Sequence, residues 1–124
     1  MVTVTKIFMF EASHHLPYYE GACHNLHGHS YKLEVTVHGA VETNINSPKC
    51  GMIIDFKDLK DIVNEKVISW YDHSNLNDFY ENPTAEIMVK DIGVKLYEEL
   101  LLKDLVLTSC KLWETTTSYA EYRP

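Results

Sequence analysis

The stretch Cys23-His24-Asn25-Leu26-His27-Gly28-His29 gathers a thiol and three imidazoles into seven residues. His27 and His29 stand two apart where a strand pattern begins, so both side chains project from one face. A further histidine, His14, falls in a segment where Val2, Val4, Phe8, Phe10, Ala12, His14 and Leu16 share one parity. That parity sets His14 among apolar side chains and turns His15 the other way. Three neutral imidazoles leave one tetrahedral position for water or substrate, the arrangement of a catalytic zinc site, and an open Zn2+ acts as a Lewis acid. A His-Gly-His tripeptide alone often marks only two polar residues near a turn. The inward parity of His14 argues for more, because an unsatisfied imidazole there would pay desolvation without return. Gly28, between the two histidines, suits a place where the backbone bends or approaches something closely.

Cys23 lies in a polar loop four residues before His27, where partial exposure and a nearby cation would favour a usable thiolate. The commonest fate of a free thiol is inert burial. Cys110, between Thr108 and Leu112 in an apolar strand pattern, reads that way, and Cys50 lies in a Pro/Gly-rich loop with no evident partner. Asp72-His73 follows a predicted helix directly. The carboxylate could tune the imidazole's tautomer and basicity, or the histidine could simply face the last carbonyls of the helix. Glu114 shares parity with Val106, Cys110 and Leu112, so a carboxylate ends an inward-facing row. It either reaches solvent at the strand end or accepts paired N–H donors from a ligand.

Positioning these groups requires strands and helices in a definite order. Val2 to about Leu16 reads as a first strand, and Tyr31, Leu33, Val35 and Val37 alternate with Lys32, Glu34, Thr36 and His38 in a second. A turn-rich connection around Asn44, Asn46, Pro48 and Gly51 leads to a helix capped by Asp55, with Phe56, Leu59, Ile62, Val63, Val67 and Trp70 on one stripe. A second helix begins near Asn82-Pro83-Thr84, and Met88, Ile92, Leu96 and Leu100 repeat every four residues along it. Gly93 inside that helix costs about 1 kcal/mol relative to alanine, which points to a close packing contact. Strands over Leu105 to Glu114 and Tyr119 to Tyr122 end the chain, joined by a turn at Thr115 to Ser118. The expected fold is α+β, ββααββ: a four-stranded antiparallel sheet with two helices on one face. Its other face and its two edges need a cover, which association of copies would supply.

The chain of 124 residues is one domain's worth, able to bury roughly two thirds of its unfolded surface. A formal charge of −7, from 18 acidic against 11 basic residues, argues against nucleic acid or an anionic membrane as partner. Three cysteines without a CxxC pair give neither a disulfide framework nor a cysteine-rich zinc finger, so a reducing, cytoplasmic compartment is expected. Met1 to Phe10 alternates Val and Thr and is not read as a secretory signal, and no apolar run approaches 18 residues. The ten lysines and Arg123 are scattered and mark no anion pocket.

Several separated motifs together resemble the 6-pyruvoyltetrahydropterin synthase family over nearly the whole length. Phe10-Glu11-Ala12-Ser13-His14-His15-Leu16 is similar to the family's first zinc-ligand segment and His27-Gly28-His29 to the second, which implies His14, His27 and His29 as ligands. Cys23 matches the catalytic cysteine, Asp72-His73 the pair that works with it, and Glu114 in Trp113-Glu114-Thr115-Thr116 the carboxylate that grips the pterin ring. Gly51-Met52-Ile53-Ile54-Asp55-Phe56 and Asn82-Pro83-Thr84-Ala85-Glu86 resemble family segments around the two helices. The pair His14-His15 departs from relatives, which often carry Arg second. The Cys-x3-His-Gly-His spacing and short chain look closer to the 6-carboxytetrahydropterin synthases of queuosine biosynthesis than to the 6-pyruvoyl enzymes. The resemblance implies the tunnelling fold, with sheets joined into an oligomeric barrel, a homohexamer built as a dimer of trimers, and sites at subunit interfaces. It also implies 7,8-dihydroneopterin triphosphate as substrate, with triphosphate and acetaldehyde released. A 6-pyruvoyl product, or a zinc-binding module without catalysis, are the competing expectations.

Overall fold

Alternating apolar residues build the centre of the molecule. In the computed structural model, which describes residues 1–124, β1 (Thr3–His14) pairs antiparallel with β2 (His27–His38) along its whole length, from Thr3 opposite His38 to His14 opposite His27. β2 thus begins at the first histidine of the tripeptide, four residues before its clean alternation at Tyr31. A two-residue β3 (Ser74–Asn75), β4 (Val106–Thr115) and β5 (Ser118–Tyr122) complete a sheet of order β3-β1-β2-β4-β5. The four long strands are antiparallel, as the sequence predicts. β3 is an addition that no alternation announces, pairing parallel with Ala12 and Ser13.

Two helical rods cover one face of the sheet. The first comprises α1 (Phe56–Val63), a π-helical stretch (Asn64–Ile68) and a short α2 (Ser69–Tyr71). Asp55 caps it, its carboxylate accepting from the Lys57 amide at 2.9 Å. Leu59, Ile62, Val63 and Val67 are buried as expected, but Phe56 and Trp70 are exposed and Tyr71 takes the inward place. The wide i→i+5 turn explains the exchange at the far end: it inserts one residue into the helical phase, so the stripe resumes one position later. The second rod is α3 (Ala85–Leu101), capped by Thr84 accepting from the Ile87 amide, with Met88, Ile92, Leu96 and Leu100 fully buried. At Gly93 an added Cβ would run into the Tyr122 ring, which is the close contact expected there.

These rods meet Phe8, Phe10, Tyr31, Leu33, Val35, Val37, Leu107, Cys110 and Leu112 in one apolar core. Each fully buried aliphatic or aromatic side chain contributes about 1.5–3 kcal/mol by leaving water. The inward row on β4 differs from expectation. Thr36 faces Ser109 and Val37 faces Leu107, so Thr108 is left without an opposite residue and the parity changes at that bulge. Leu105 and Leu107 point inward before it and Cys110, Leu112 and Glu114 after it, whereas Val106 is half-buried on the other side. The far face of the sheet has no cover within the protomer: Ile7 and Met9 are 53% and 57% exposed there.

Candidate functional site

The antiparallel register of β1 and β2 makes the site. His14 lies opposite His27, and His29 lies opposite Ala12, two residues further along the same face. The three rings therefore meet at one end of the sheet, with centroids 4.7–5.0 Å apart and planes close to perpendicular. One nitrogen from each lies within 4.8 Å of the others. His14 is fully buried; His27 and His29 are half-buried and leave the cluster open on one side.

Backbone carbonyls fix two of the tautomers. His14 Nδ1–H donates to the Pro83 carbonyl at 2.9 Å and His27 Nδ1–H to the Asn25 carbonyl at 2.7 Å. Each ring then presents an Nε2 lone pair, and the two Nε2 atoms face each other at 3.1 Å. Two acceptors at that separation need a cation or a proton near them. Burial, only partly opposed by the Pro83 hydrogen bond and Glu114 at His14 and by Glu114 at His29, holds both histidines below the ordinary imidazole value. Neutral nitrogens in convergent geometry with an open side are the donor set a catalytic zinc requires. Glu114 Oε1 stands 3.5 Å from His14 Nε2 and 3.6 Å from His29 Nε2. Beyond it, Glu114 lines a cavity of about 450 Å3 with Ala85, Glu86, Ser118, Tyr119, Ala120 and Glu121.

The remaining sequence-predicted residues lie outside this cluster. Cys23 is half-buried in a single 3-10 turn, Ala22–His24, fastened by its carbonyl, which accepts from the Leu16 amide at 2.9 Å. Asp72 and His73 follow α2 at the open edge of β1. There the Glu11 amide donates to Asp72 Oδ1 at 2.9 Å and the His73 amide donates to the Glu11 carbonyl at 2.6 Å. The Glu11 hydrogen bond, followed by the neighbouring His73, keeps the Asp72 carboxyl below the usual carboxylate range. His73 Nδ1 is 3.1 Å from Asp72 Oδ1, its side chain is 80% exposed, and its φ of 61° is a left-handed value rare outside glycine. His73 lines a shallow depression with Glu11, Ala12, Ser13, Gly28, His29 and Ser30. The chain thus brings the three histidines and Glu114 together and ties Asp72-His73 to the backbone of Glu11.

Other contributors were missed by the residue pattern. Pro83 and Asn25 act through carbonyls, which carry no residue-type signal. Tyr31 has a readable signal, sharing the parity of His29 two residues on. It is fully buried, stacks on Phe10 at 4.9 Å, and its hydroxyl lies 3.3 Å from His14 Nδ1. Gly28 does not make the expected close approach: a Cβ there would meet only the Ala12 carbonyl at an ordinary 3.7 Å. His15 is held by Asn77, whose amide oxygen accepts from its backbone N–H at 2.9 Å and whose NH2 donates to its carbonyl at 3.0 Å.

Comparison with known proteins agrees with this geometry. The family model described as 6-pyruvoyl tetrahydropterin synthase matches residues 3–124. The chain is 33% identical to the 6-carboxy-5,6,7,8-tetrahydropterin synthase of Haemophilus influenzae, with 99% of each sequence covered. It is 38% identical to the protein of the same name from Synechocystis, covering 98% of this chain and 93% of that one. Among solved structures, 6-pyruvoyl tetrahydropterin synthase of Caenorhabditis elegans superposes with a TM-score of 0.82 at 26% identity, over 99% of this chain and 95% of that one. With the fold, the histidine cluster and full-length similarity in agreement, the chain belongs to the 6-pyruvoyl tetrahydropterin synthase family.

Proposed function

We propose that this chain is a zinc-dependent 6-carboxy-5,6,7,8-tetrahydropterin synthase, a lyase of the queuosine pathway acting on 7,8-dihydroneopterin triphosphate in the cytoplasm. The observation that carries the reading is the meeting of His14, His27 and His29 beside a carboxylate, Glu114, that borders an open cavity. The two full-length relatives bearing that enzyme name support it. His14, His27 and His29 would hold the ion, and zinc bound there supplies Lewis-acid polarisation of side-chain oxygens on the substrate. Glu114 accepts the paired N–H donors of the pterin ring and fixes its orientation. Cys23 takes the proton from the side-chain carbon made acidic next to the polarised oxygen. Asp72 orients His73, and His73 takes up and returns protons at its exposed ring. Loss of triphosphate and hydrolytic cleavage of the side chain, which consumes one water, then release acetaldehyde and leave the 6-carboxy product.

Asp72-His73 close on the Glu11 backbone at the edge of a sheet whose far face is uncovered, which favours an oligomer whose sites lie between subunits. The active unit in this reading is a homohexamer, with the pair supplied to a neighbouring protomer's site. The competing reading is a 6-pyruvoyl product from the same substrate, favoured by the name of the nematode enzyme that shares the fold.

Mass spectrometry of the products from zinc-loaded protein and dihydroneopterin triphosphate tests these readings together. The 6-carboxy product with acetaldehyde is expected. A 6-pyruvoyl product without acetaldehyde would transfer the chain to the other branch. Zinc-loaded protein that neither binds nor converts the substrate would leave a zinc-binding module.

A further inference from the structure

The segment that carries Asp72-His73 is pinched shut at its neck by a hydrogen-bonded cluster that takes no part in the chemistry above. Tyr71 and Tyr80 flank the segment, and their hydroxyls meet at 2.5 Å. Both rest on one carboxylate of α3: Tyr80 donates to Asp91 Oδ2 at 2.5 Å and Tyr71 approaches the same oxygen at 3.4 Å. Lys95, one turn along α3, donates to Asp91 at 3.0 Å and to the Tyr71 hydroxyl at 3.3 Å. The donations run in one direction, from Lys95 to Tyr71 to Tyr80 to Asp91. Burial tends to raise the Asp91 carboxyl, and the Tyr80 and Lys95 donors outweigh it, so the group sits below its ordinary value. Burial first, and then Asp91, push the Tyr80 phenol upward, so it remains a donor.

Between these two tyrosines the long-range polar ties lead to β1 and to His15 just after it, while Ser74 Oγ donates to the Tyr71 carbonyl and the Asp72 amide to the Ile68 carbonyl. Asp72 and His73 bracket Glu11, Ser74 and Asn75 pair with Ala12 and Ser13, and Asn77 grips the backbone of His15. Just past the neck, the Pro83 carbonyl accepts from His14. The neck therefore lies between the catalytic pair and the carbonyl that sets a metal ligand. His73 is the one residue in the segment with a left-handed backbone, a conformation costing on the order of 1 kcal/mol that persists only where its surroundings impose it.

From this connectivity we infer that Tyr80 and Asp91, with Tyr71, are positioning residues that hold Asp72-His73 in register on the edge of β1. The inference rests on the proposed role of that pair. Without the Tyr80 hydroxyl the segment keeps its length and its contacts with β1 but gains freedom to turn about its neck. Small displacements of a proton-transfer group carry large costs in rate.

The test is turnover of zinc-loaded Tyr80→Phe measured in two backgrounds, wild type and His73→Ala, with bound zinc quantified in each. Expected is a loss of kcat of about tenfold in the wild-type background, KM and zinc content little changed, and less than about twofold further loss once His73 is absent. Asp91→Asn, which keeps the side-chain volume, should repeat this pattern, and Asp91→Glu should restore part of kcat. Equal losses in both backgrounds would show general loosening of the fold and overturn the inference, as would full activity of both variants. Loss of zinc along with turnover would also overturn it, since the cluster would then serve the metal site. If His73→Ala itself turns over at the wild-type rate, what fails is the proposed role of the pair, a result separable from any behaviour of Tyr80→Phe.

Discussion

The facing Nε2 atoms of His14 and His27, 3.1 Å apart, set the chemistry of the site and its response to pH. Burial is the leading cause that holds His14 and His29 below the ordinary value of 6.5, so the unfolded chain takes up protons first as pH falls. The contribution of these residues to stability is therefore present above about pH 6.5 and is lost as pH drops toward their folded values. Zinc-stripped protein should show a melting temperature that falls as pH is lowered from about 7.5 to 5, and a flat profile over that range would contradict the assignment. His14→Ala should abolish stoichiometric zinc binding. Cys23→Ala should keep zinc and lose at least about a hundredfold in kcat, and a fully active variant would remove the thiol from the mechanism. Glu114→Gln should retain zinc while kcat/KM falls about tenfold or more, because a charge-assisted pair of hydrogen bonds to the ring becomes a mismatched amide.

At the level of elements, two irregularities decide what the regular patterns leave open. The bulge at Thr108 reverses the parity of β4 between Leu107 and Cys110, and so keeps Glu114 on the histidine side while Leu105 and Leu107 still reach the core. The π-helical stretch after Val63 delivers Tyr71 inward and leaves Asp72-His73 at the edge of β1. Packing between α3 and β5 is close where Gly93 meets the Tyr122 ring. Gly93→Ala gains about 1 kcal/mol of helix propensity but drives a methyl into the Tyr122 ring, and overpacking of that kind costs about 1–3 kcal/mol. A lowered denaturation midpoint is expected, with the C-terminal strand loosened. An unchanged or raised midpoint would mean that Tyr122 moves aside freely.

For the whole molecule, one sheet face without a cover and the proposed catalytic pair at the edge of β1 both bear on assembly. Native mass spectrometry should find a hexamer, and a stable, active monomer would refute the proposed arrangement. Co-expression of Cys23→Ala with His73→Ala gives a sharper measurement. If the thiol and the imidazole of one site come from different protomers, mixed assemblies regain about a quarter of wild-type sites although each parent is inactive. No recovery in mixed assemblies would place both groups in one protomer.

The sequence determined the four long strands, the first helix cap and the convergence of three histidines, because each rests on short-range periodicity or local chemistry. Alternation put His14, His27 and His29 on one face; Asp55 declared the first helix start and Asn82-Pro83-Thr84 the neighbourhood of the second, where Thr84 is the cap and Pro83 precedes it; spacing every four residues marked the buried stripe of α3. Where alternation is interrupted, that legibility stops: the bulge changed the side of Val106, the π turn exchanged Trp70 for Tyr71, and β3 is too short to alternate. Only the tertiary structure decided that the Pro83 and Asn25 carbonyls set the imidazole tautomers and that Asp72-His73 close on the Glu11 backbone. The physical reason is that a backbone carbonyl is the same group at every residue, and a helix's exit direction depends on accumulated phase. Both are fixed by where distant segments pack, and residue type alone does not encode that.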